Sequence, residues 1–210
     1  MKDYEMGRYL YPPRPETKAP VESLSMYERL GYIAQPKLNG SCGVLFLGGN
    51  PKLMGRHNDS FARQLIDPSK FSFLSNRSGV SVVVGEYMNK SKRDCQNRLF
   101  NSTFVIFDIL VSNGKYLLRS TFEERQELLD TLYGTGSHYD SYISQLSDSI
   151  YRANNFTQGF TSTFLNMTKG DMYEGFVMKR PDGKLDTGYS SKNNTGWQVK
   201  VRKPTKLYKY

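Results

Sequence analysis

The sequence predicts an α+β domain in which mixed, mostly antiparallel sheets pack against flanking helices. Three observations predict it. Val80–Val84 and Thr103–Val111 are β-branched and aromatic runs too apolar for sheet edges, so each belongs in the middle of a sheet. Gly48-Gly49-Asn50-Pro51 is turn chemistry between two further strand-like runs, Cys42–Leu47 and Lys52–Arg56. Thr121-Phe122-Glu123-Glu124 has capping-box spacing and opens a helix through Leu128, Leu129 and Leu132 that stops near Gly134.

Taken in order, residues 1–20 carry Pro12, Pro13, Pro15 and Pro20 and read as an extended arm laid on the domain of residues 21–210. Val21–Leu30 reads as a helix, with Pro20 at its entry and Gly31 as its stop. It feeds the extended run Tyr32–Lys37. Asp59–Ile66 fits a short helix closed by Pro68, and the polar, basic stretch Lys90–Arg98 a loop. A second helix is expected over Ser141–Ala153, while Phe160–Thr168 suits helix and strand alike. Tyr173–Lys179 and Gly196–Lys203 complete the strands. There is no internal repeat and no long linker.

With 210 residues the chain can bury a core without disulfides or metal. No stretch approaches the ~18 to 20 apolar residues of a membrane span, and Met1-Lys2-Asp3-Tyr4-Glu5 lacks the apolar centre of a signal peptide. A cytoplasmic monomer is expected. Cys42, Cys95, His57 and His138 show no zinc spacing. The net charge of +9 and the 13% aromatic content suit a polyanionic partner, since phosphates gain from Lys and Arg and bases from stacking on rings; the same charge also serves solubility.

The candidate chemistry starts at Lys37-Leu38-Asn39-Gly40. A lysine that ends an extended segment can present its amine at the mouth of a sheet, and Gly40 lets the backbone turn close beside a ligand. Alone this is a weak pattern, since lone lysines are mostly solvated. It has company: Arg56, Gly85-Glu86, Phe107-Asp108-Ile109, Glu174-Gly175, and Lys200 with Arg202 follow in order, most of them at the end of an expected strand.

This ordered set resembles the covalent nucleotidyltransferases, the superfamily of ATP-dependent DNA ligases, RNA ligases and capping enzymes, over residues 33–203. The resemblance implies an ATP-grasp-like ligase nucleotidyltransferase (adenylation) domain with a nucleotide groove between its sheets. It implies Lys37 as the catalytic nucleophile that takes AMP from ATP, passes it to a 5′-phosphate and leaves it to be displaced by a 3′-hydroxyl. Arg56 would reach the ribose or phosphates, and Glu86 the ribose hydroxyls or a metal-bound water. Phe107 would stack on adenine, although a phenylalanine in an apolar strand is usually core. Glu174, with Glu86, would hold Mg²⁺ or Mn²⁺. Lys200 and Arg202, which share a strand face, would hold phosphates. Cations gathered around Lys37 disfavour its charged form, which is what a nucleophilic amine needs.

The chain departs from the family pattern in several places. Asn39 stands where Asp is usual, and Gln35 where ligases commonly carry a Glu that reads the adenine amino group; its amide oxygen can still accept that bond. Trp197 lies one residue further upstream than in many ligases, which makes Lys203 the alternative member of the last motif. Many relatives continue into an OB-fold domain, and none is expected in this chain; the basic tail Arg202–Lys209 would substitute as a phosphate contact. Gly85-Glu86-Tyr87 lacks the Asp that precedes this pair in many DNA ligases, a lean toward RNA-containing nicks, whereas the Tyr11-Pro12-Pro13-Arg14-Pro15 arm resembles small phage-type DNA ligases. The partner implied is nicked or end-aligned DNA, RNA or hybrid. A capping-type guanylyltransferase using GTP and a non-catalytic nucleic-acid-binding module are the competing readings.

Overall fold

The computed structural model describes residues 9–63, 65–75, 79–188, 190 and 192–204. Two sheets dominate. The smaller is built from β1 (Arg14–Lys18), β2 (Ile33–Leu38), β13 (Tyr173–Lys179) and β14 (Asn194–Arg202), in the order β1-β14-β13-β2. The larger contains β3 (Ser41–Leu47), β4 (Lys52–Gly55), β5 (Ser81–Met88), β8 (Thr103–Ser112), β10 (Ser137–His138), β11 (Ile143–Ser147) and β12 (Ile150–Ala153), ordered β10-β11-β12-β8-β5-β3-β4. The short β9 (Lys115–Tyr116) pairs with β8, and β6 (Lys92–Arg93) with β7 (Leu99–Phe100) forms a separate two-stranded ladder. Pairing is antiparallel except for β1 with β14 and β12 with β8.

Each expected central strand sits inside its sheet for the reason its composition suggests. β5 lies between β3 and β8, and Val82, Val83 and Val84 are buried because both faces of that sheet are covered. Asp108, the odd residue of β8, is buried and accepts a two-pronged bond from Arg125, Nε at 2.8 Å and Nη2 at 3.0 Å. Arg125 belongs to α2 (Phe122–Tyr133), which begins with the capping box at Thr121 and ends at Gly134. The pair clamps α2 onto β8.

One face of the small sheet, carrying Ala34, Leu38, Phe176, Met178, Val199 and Val201, packs on Leu24 of α1 (Leu24–Arg29) and on Phe160, Phe164 and Met167 of α3 (Phe160–Met167). A 3₁₀ turn, Val21–Ser23, precedes α1. Glu28 of α1 accepts from the backbone N–H groups of Gly159 and Phe160 at 2.9 Å each, so α1 caps the start of α3. The apolar positions of Phe160–Met167 at helical spacing settle that segment as helix.

Four expectations change. Ser141–Ala153 is the β11–β12 hairpin rather than a helix: Ile143 pairs with Ala153, and Asp148-Ser149 makes the reversal. Asp59–Ile66 forms no helix among its described residues; the turn instead starts at Pro68, a 3₁₀ segment Pro68–Leu74 whose first N–H groups are capped by Asp67. Lys90–Arg98 is not a plain loop, because it holds β6 and the turn to β7. The arm is more than laid on the domain over Arg14–Lys18, where it becomes an edge strand of the small sheet. Residues 205–210, which carry most of the basic tail, lie outside the described residues.

Candidate active site

The unpacked face of the small sheet looks across a groove at the large one. Strand register decides what it displays. Lys37 pairs with Gly175 and Gln35 with Val177, while on the other side Gly175 pairs with Arg202, Val177 with Lys200 and Lys179 with Gln198. Paired residues share a face, so Gln35, Lys37, Val177, Lys179, Gln198, Lys200 and Arg202 all point into the groove.

Strict alternation would turn Glu174 away from that face. A bulge prevents it: Tyr173 pairs with Leu38 and Gly175 with Lys37, leaving Glu174 as the extra residue. Its carboxylate reaches the amine of Lys37 at 2.5 Å and Arg202 Nε at 3.2 Å. Gly175 makes the bulge feasible, since its φ is +146° and a Cβ there would run into the carbonyl of Val201. Phe107 is treated likewise on the opposite wall: Asp108 pairs with Val84 and Ile106 with Gly85, so Phe107 has no partner in the ladder and lines the pocket.

Glu86, at the end of β5, is held against the Lys37 turn by the N–H of Gly40, which donates to Oε1 at 3.0 Å. Gly40 is needed there: a Cβ would come within 2.6 Å of Tyr87 O and 3.0 Å of the Glu86 side chain. Asn39 does not face the ligand groove. Its N–H and Nδ2 donate to the carbonyls of Met172 (2.9 Å) and Asp171 (3.0 Å), bracing the lysine turn against the loop that leads to Glu174. Burial pushes the Glu86 carboxyl up to about 7, with Glu174 adding to the rise and Lys37, the Gly40 N–H and Arg202 opposing it. Cys42, which pairs with Glu86, is an inert thiol, pushed up to about 12 by burial and by that carboxylate.

The expected crowd of cations around Lys37 needs correcting. Its contact partner is the carboxylate of Glu174, drawn in by the bulge, and the cations form the next ring. Lys200 lies in that ring: burial lowers it, and Arg202, Arg14, Lys18 and Lys37 lower it further. Its amine donates to Pro15 O at 3.2 Å. Arg56 donates to Pro12 O at 2.6 Å and is lowered chiefly by burial, with Arg14 also acting on it. Lys203 is elsewhere, donating to Thr168 O (3.0 Å) and Gly170 O at the end of α3, so Lys200 and Arg202 are the pair that face the groove.

Gln35 has both ends engaged. Its Nε2 donates to Asn155 Oδ1 (2.8 Å) and Gln126 Oε1 (3.2 Å), and its Oε1 accepts from Lys179 Nζ at 2.6 Å. Lys179 was not legible as a site residue, although it ends the Glu174 strand on the groove side. It is 3% exposed, lies 5.1 Å from the Phe107 ring centroid and 4.6 Å from that of Phe122, and burial lowers its amine to about 8. Arg14, carried by β1, was missed as well. With Pro13 and Pro15 it lines the pocket beside Lys37, Arg56 and Glu86. A proline-rich arm offers no periodicity from which that placement could be read.

The arrangement therefore has an apolar end, with Phe107 and Val177 beside buried donors, and a charged end where the Lys37 amine meets the Glu174 carboxylate, with Glu86 close enough to feel both, inside a ring of cations. Among the described residues no three His, Cys, Asp or Glu side chains gather as a metal cage. Glu86 and Glu174 still fit a divalent ion of the Mg²⁺ type, which takes one or two carboxylates and completes its shell with water and phosphate. Burial, with a smaller contribution from Glu174, raises Glu86, and a bound cation would favour its charged form.

Among solved structures, the chain is similar to the ligase domain of M. tuberculosis LigD (19% identity, TM-score 0.64) and to mycobacterial DNA ligase D complexed with ATP and MES (18%, 0.61). In both cases 92% of this chain covers 60% of the other, so it spans less than two thirds of their length. Chlorella virus DNA ligase-adenylate matches at 14% identity and TM-score 0.51, over 91% of this chain and 68% of that one. These likenesses show the ligase nucleotidyltransferase fold. No curated protein matches the sequence. The family model described as ATP dependent DNA ligase domain matches residues 73–200, a stretch that holds Glu86, Phe107, Glu174 and Lys200 and starts downstream of Lys37. With more than half of its length inside that match, the chain belongs to the ATP-dependent DNA ligase domain family.

Proposed function

We propose that the protein is an ATP-dependent polynucleotide ligase that works through a covalent lysyl-AMP. The observation that carries this reading is the 2.5 Å contact between Lys37 and Glu174 at the charged end of a pocket whose other end is lined by Phe107, Val177 and Lys179. The adenine lies against Phe107, and the triphosphate extends toward Lys37, Lys200 and Arg202.

Glu174 orients the Lys37 amine through their 2.5 Å contact, and the amine reacts once its proton has passed to water. The freed amine attacks the α-phosphorus, the N–P bond forms, and the bond to the bridging oxygen breaks with pyrophosphate leaving. A 5′-phosphate oxygen of the nucleic acid then displaces lysine from that phosphorus. A 3′-hydroxyl attacks the activated 5′-phosphate, and AMP leaves as the phosphodiester forms. Lys200 and Arg202 meet the charge that grows on the phosphoryl oxygens in this reading. Glu86 and Glu174 would hold Mg²⁺ or Mn²⁺, which supplies charge neutralisation at the phosphates.

The partner in this reading is a nick with a 5′-phosphate beside a 3′-hydroxyl. The lean toward RNA on one side of the nick rests on Ser81–Tyr87, where valine precedes Gly85-Glu86 in place of an acid. A panel of DNA, RNA and mixed nicks, scored for the sealed strand with ATP and Mg²⁺, tests both statements. Sealing of nicks with RNA at the 3′-hydroxyl side at least as well as all-DNA nicks is expected. No sealed product on any nick would refute the ligase reading, and a strict DNA preference would refute only the lean.

A further inference from the structure

The nucleotide site uses none of the basic residues between Lys90 and Arg98, of which Lys90, Arg93 and Arg98 are exposed. β6 and β7 pair Lys92 with Phe100 and Arg93 with Leu99, and the turn between them is built on buried Asp94. The Asp94 carboxylate accepts from the N–H groups of Gln96 and Arg98 at 2.9 Å each and from Arg98 Nε at 2.6 Å. Phe100 is buried against Tyr139 and Tyr151, which anchors the far strand. These contacts fix the hairpin and leave its charges outside: Arg93 and Arg98 on it, and Lys90 just before it, are exposed.

Its position is set by direct bonds to the lip of the groove. Arg93 O accepts from the N–H groups of Asp171 (3.0 Å) and Met172 (2.9 Å), and Arg93 N donates to Asp171 Oδ1 at 2.6 Å. Met172 O in turn accepts from Asn39 N, two residues from the nucleophilic Lys37, and Glu174 lies two residues beyond Met172. These bonds join the hairpin to the turn that carries Lys37. Lys169 is exposed on the neighbouring loop, and the acids close by are spent: Asp94 within the turn, Asp171 on the hairpin backbone and Lys92 (3.7 Å).

We propose that the β6–β7 hairpin is a docking element for the sugar-phosphate backbone of the duplex beside the nick, with Lys90 and Arg93 as its phosphate contacts. Resting on the ligase reading, it names the surface by which that site holds its polymer substrate. The chemistry is counterion release: each phosphate neutralised adds about 0.9 to the slope of log affinity against log salt, or roughly eight-fold in affinity at 0.1 M salt. Among the described residues the Arg93 side chain makes one hydrogen bond, Nη1 to Asn97 O at 2.9 Å, and the substitutions leave Arg98 in place on Asp94 and Tyr139.

The test compares wild type with Lys90→Ala, Arg93→Ala and the double variant, using a nicked DNA duplex with a 5′-phosphate as probe. Anisotropy titrations at several salt concentrations give affinity and slope, and labelling of the protein by α-labelled ATP without nucleic acid reports the nucleotide site. The expected result is a slope reduced by about 0.9 in each single variant and about 1.8 in the double, with labelling unchanged. Slopes and affinities equal to wild type, with wild type binding and labelling normally, overturn the hairpin role and leave the ligase reading standing. Loss of labelling in the variants also overturns it, because the residues would then act on the nucleotide. A wild type that neither labels nor binds removes the ligase reading, and the proposal with it.

Discussion

Replacing Glu86 by Gln isolates the carboxyl that the fold treats worst. Half-buried near the end of β5 and raised chiefly by loss of solvent, with Glu174 adding to the rise, its carboxyl sits at about 7 against an ordinary 4.5. A shift of that size corresponds to at most about 3 kcal/mol, at 1.36 kcal/mol per unit. The sign follows from proton counting. Below the unfolded value both states hold the proton; between it and about 7 the unfolded chain has released a proton that the folded protein keeps, so stability falls as pH rises. Lys179 does not confuse this window, because its amine, lowered to about 8, weakens folding below that pH and lets stability climb only above it. Urea denaturation of wild type and Glu86→Gln at pH 4.5, 6 and 8 should show the variant gaining on wild type by up to about 3 kcal/mol from the lowest to the highest pH, with activity lost. Addition of Mg²⁺ should shrink the difference, since a cation between Glu86 and Glu174 restores the charged form. A wild-type and variant difference that stays flat across this range would refute the claim that Glu86 is forced toward its neutral form.

Other perturbations follow from particular contacts. Arg125→Met leaves Asp108 as a buried carboxylate without its partner and should cost about 3 to 5 kcal/mol in chemical denaturation, whereas adding Asp108→Leu should restore part of the loss. Gly175→Ala cannot adopt φ +146° without meeting Val201 O, so the bulge shifts Glu174; protein labelling by ATP should fall by at least ten-fold while a melting curve still shows a folded protein. Phe107→Ala removes the ring facing Val177 across the pocket and should raise the ATP concentration for half-maximal labelling by about ten-fold, the worth of one stacked base.

The parts of the site that could be read from sequence are those set by local chemistry. Lys37 with Gly40, Glu86 after its valines and the capping box at Thr121 announce themselves through strand ends and helix starts, and the sheets and α2 follow from the same patterns. What could not be read depends on register. Two bulges turn Glu174 and Phe107 into the groove, and no count of alternation foretells an extra residue. Ser141–Ala153 carries apolar residues at spacings that suit a helix, and it is a hairpin because β11 pairs with β12 and β12 in turn docks on β8. Asp108 looked out of place because its partner Arg125 lies 17 residues away in another element. Lys179 and Arg14 carry no local signal for the same reason: each lines the pocket through strand neighbours distant in sequence.

The central claim is that Lys37 becomes covalently bound to AMP. Incubation with α-labelled ATP and Mg²⁺, followed by mass spectrometry of the digested protein, measures this directly. The account predicts one AMP per chain on the peptide containing Lys37, and none on Lys37→Ala. AMP on any other residue, or label retained by Lys37→Ala, would contradict it.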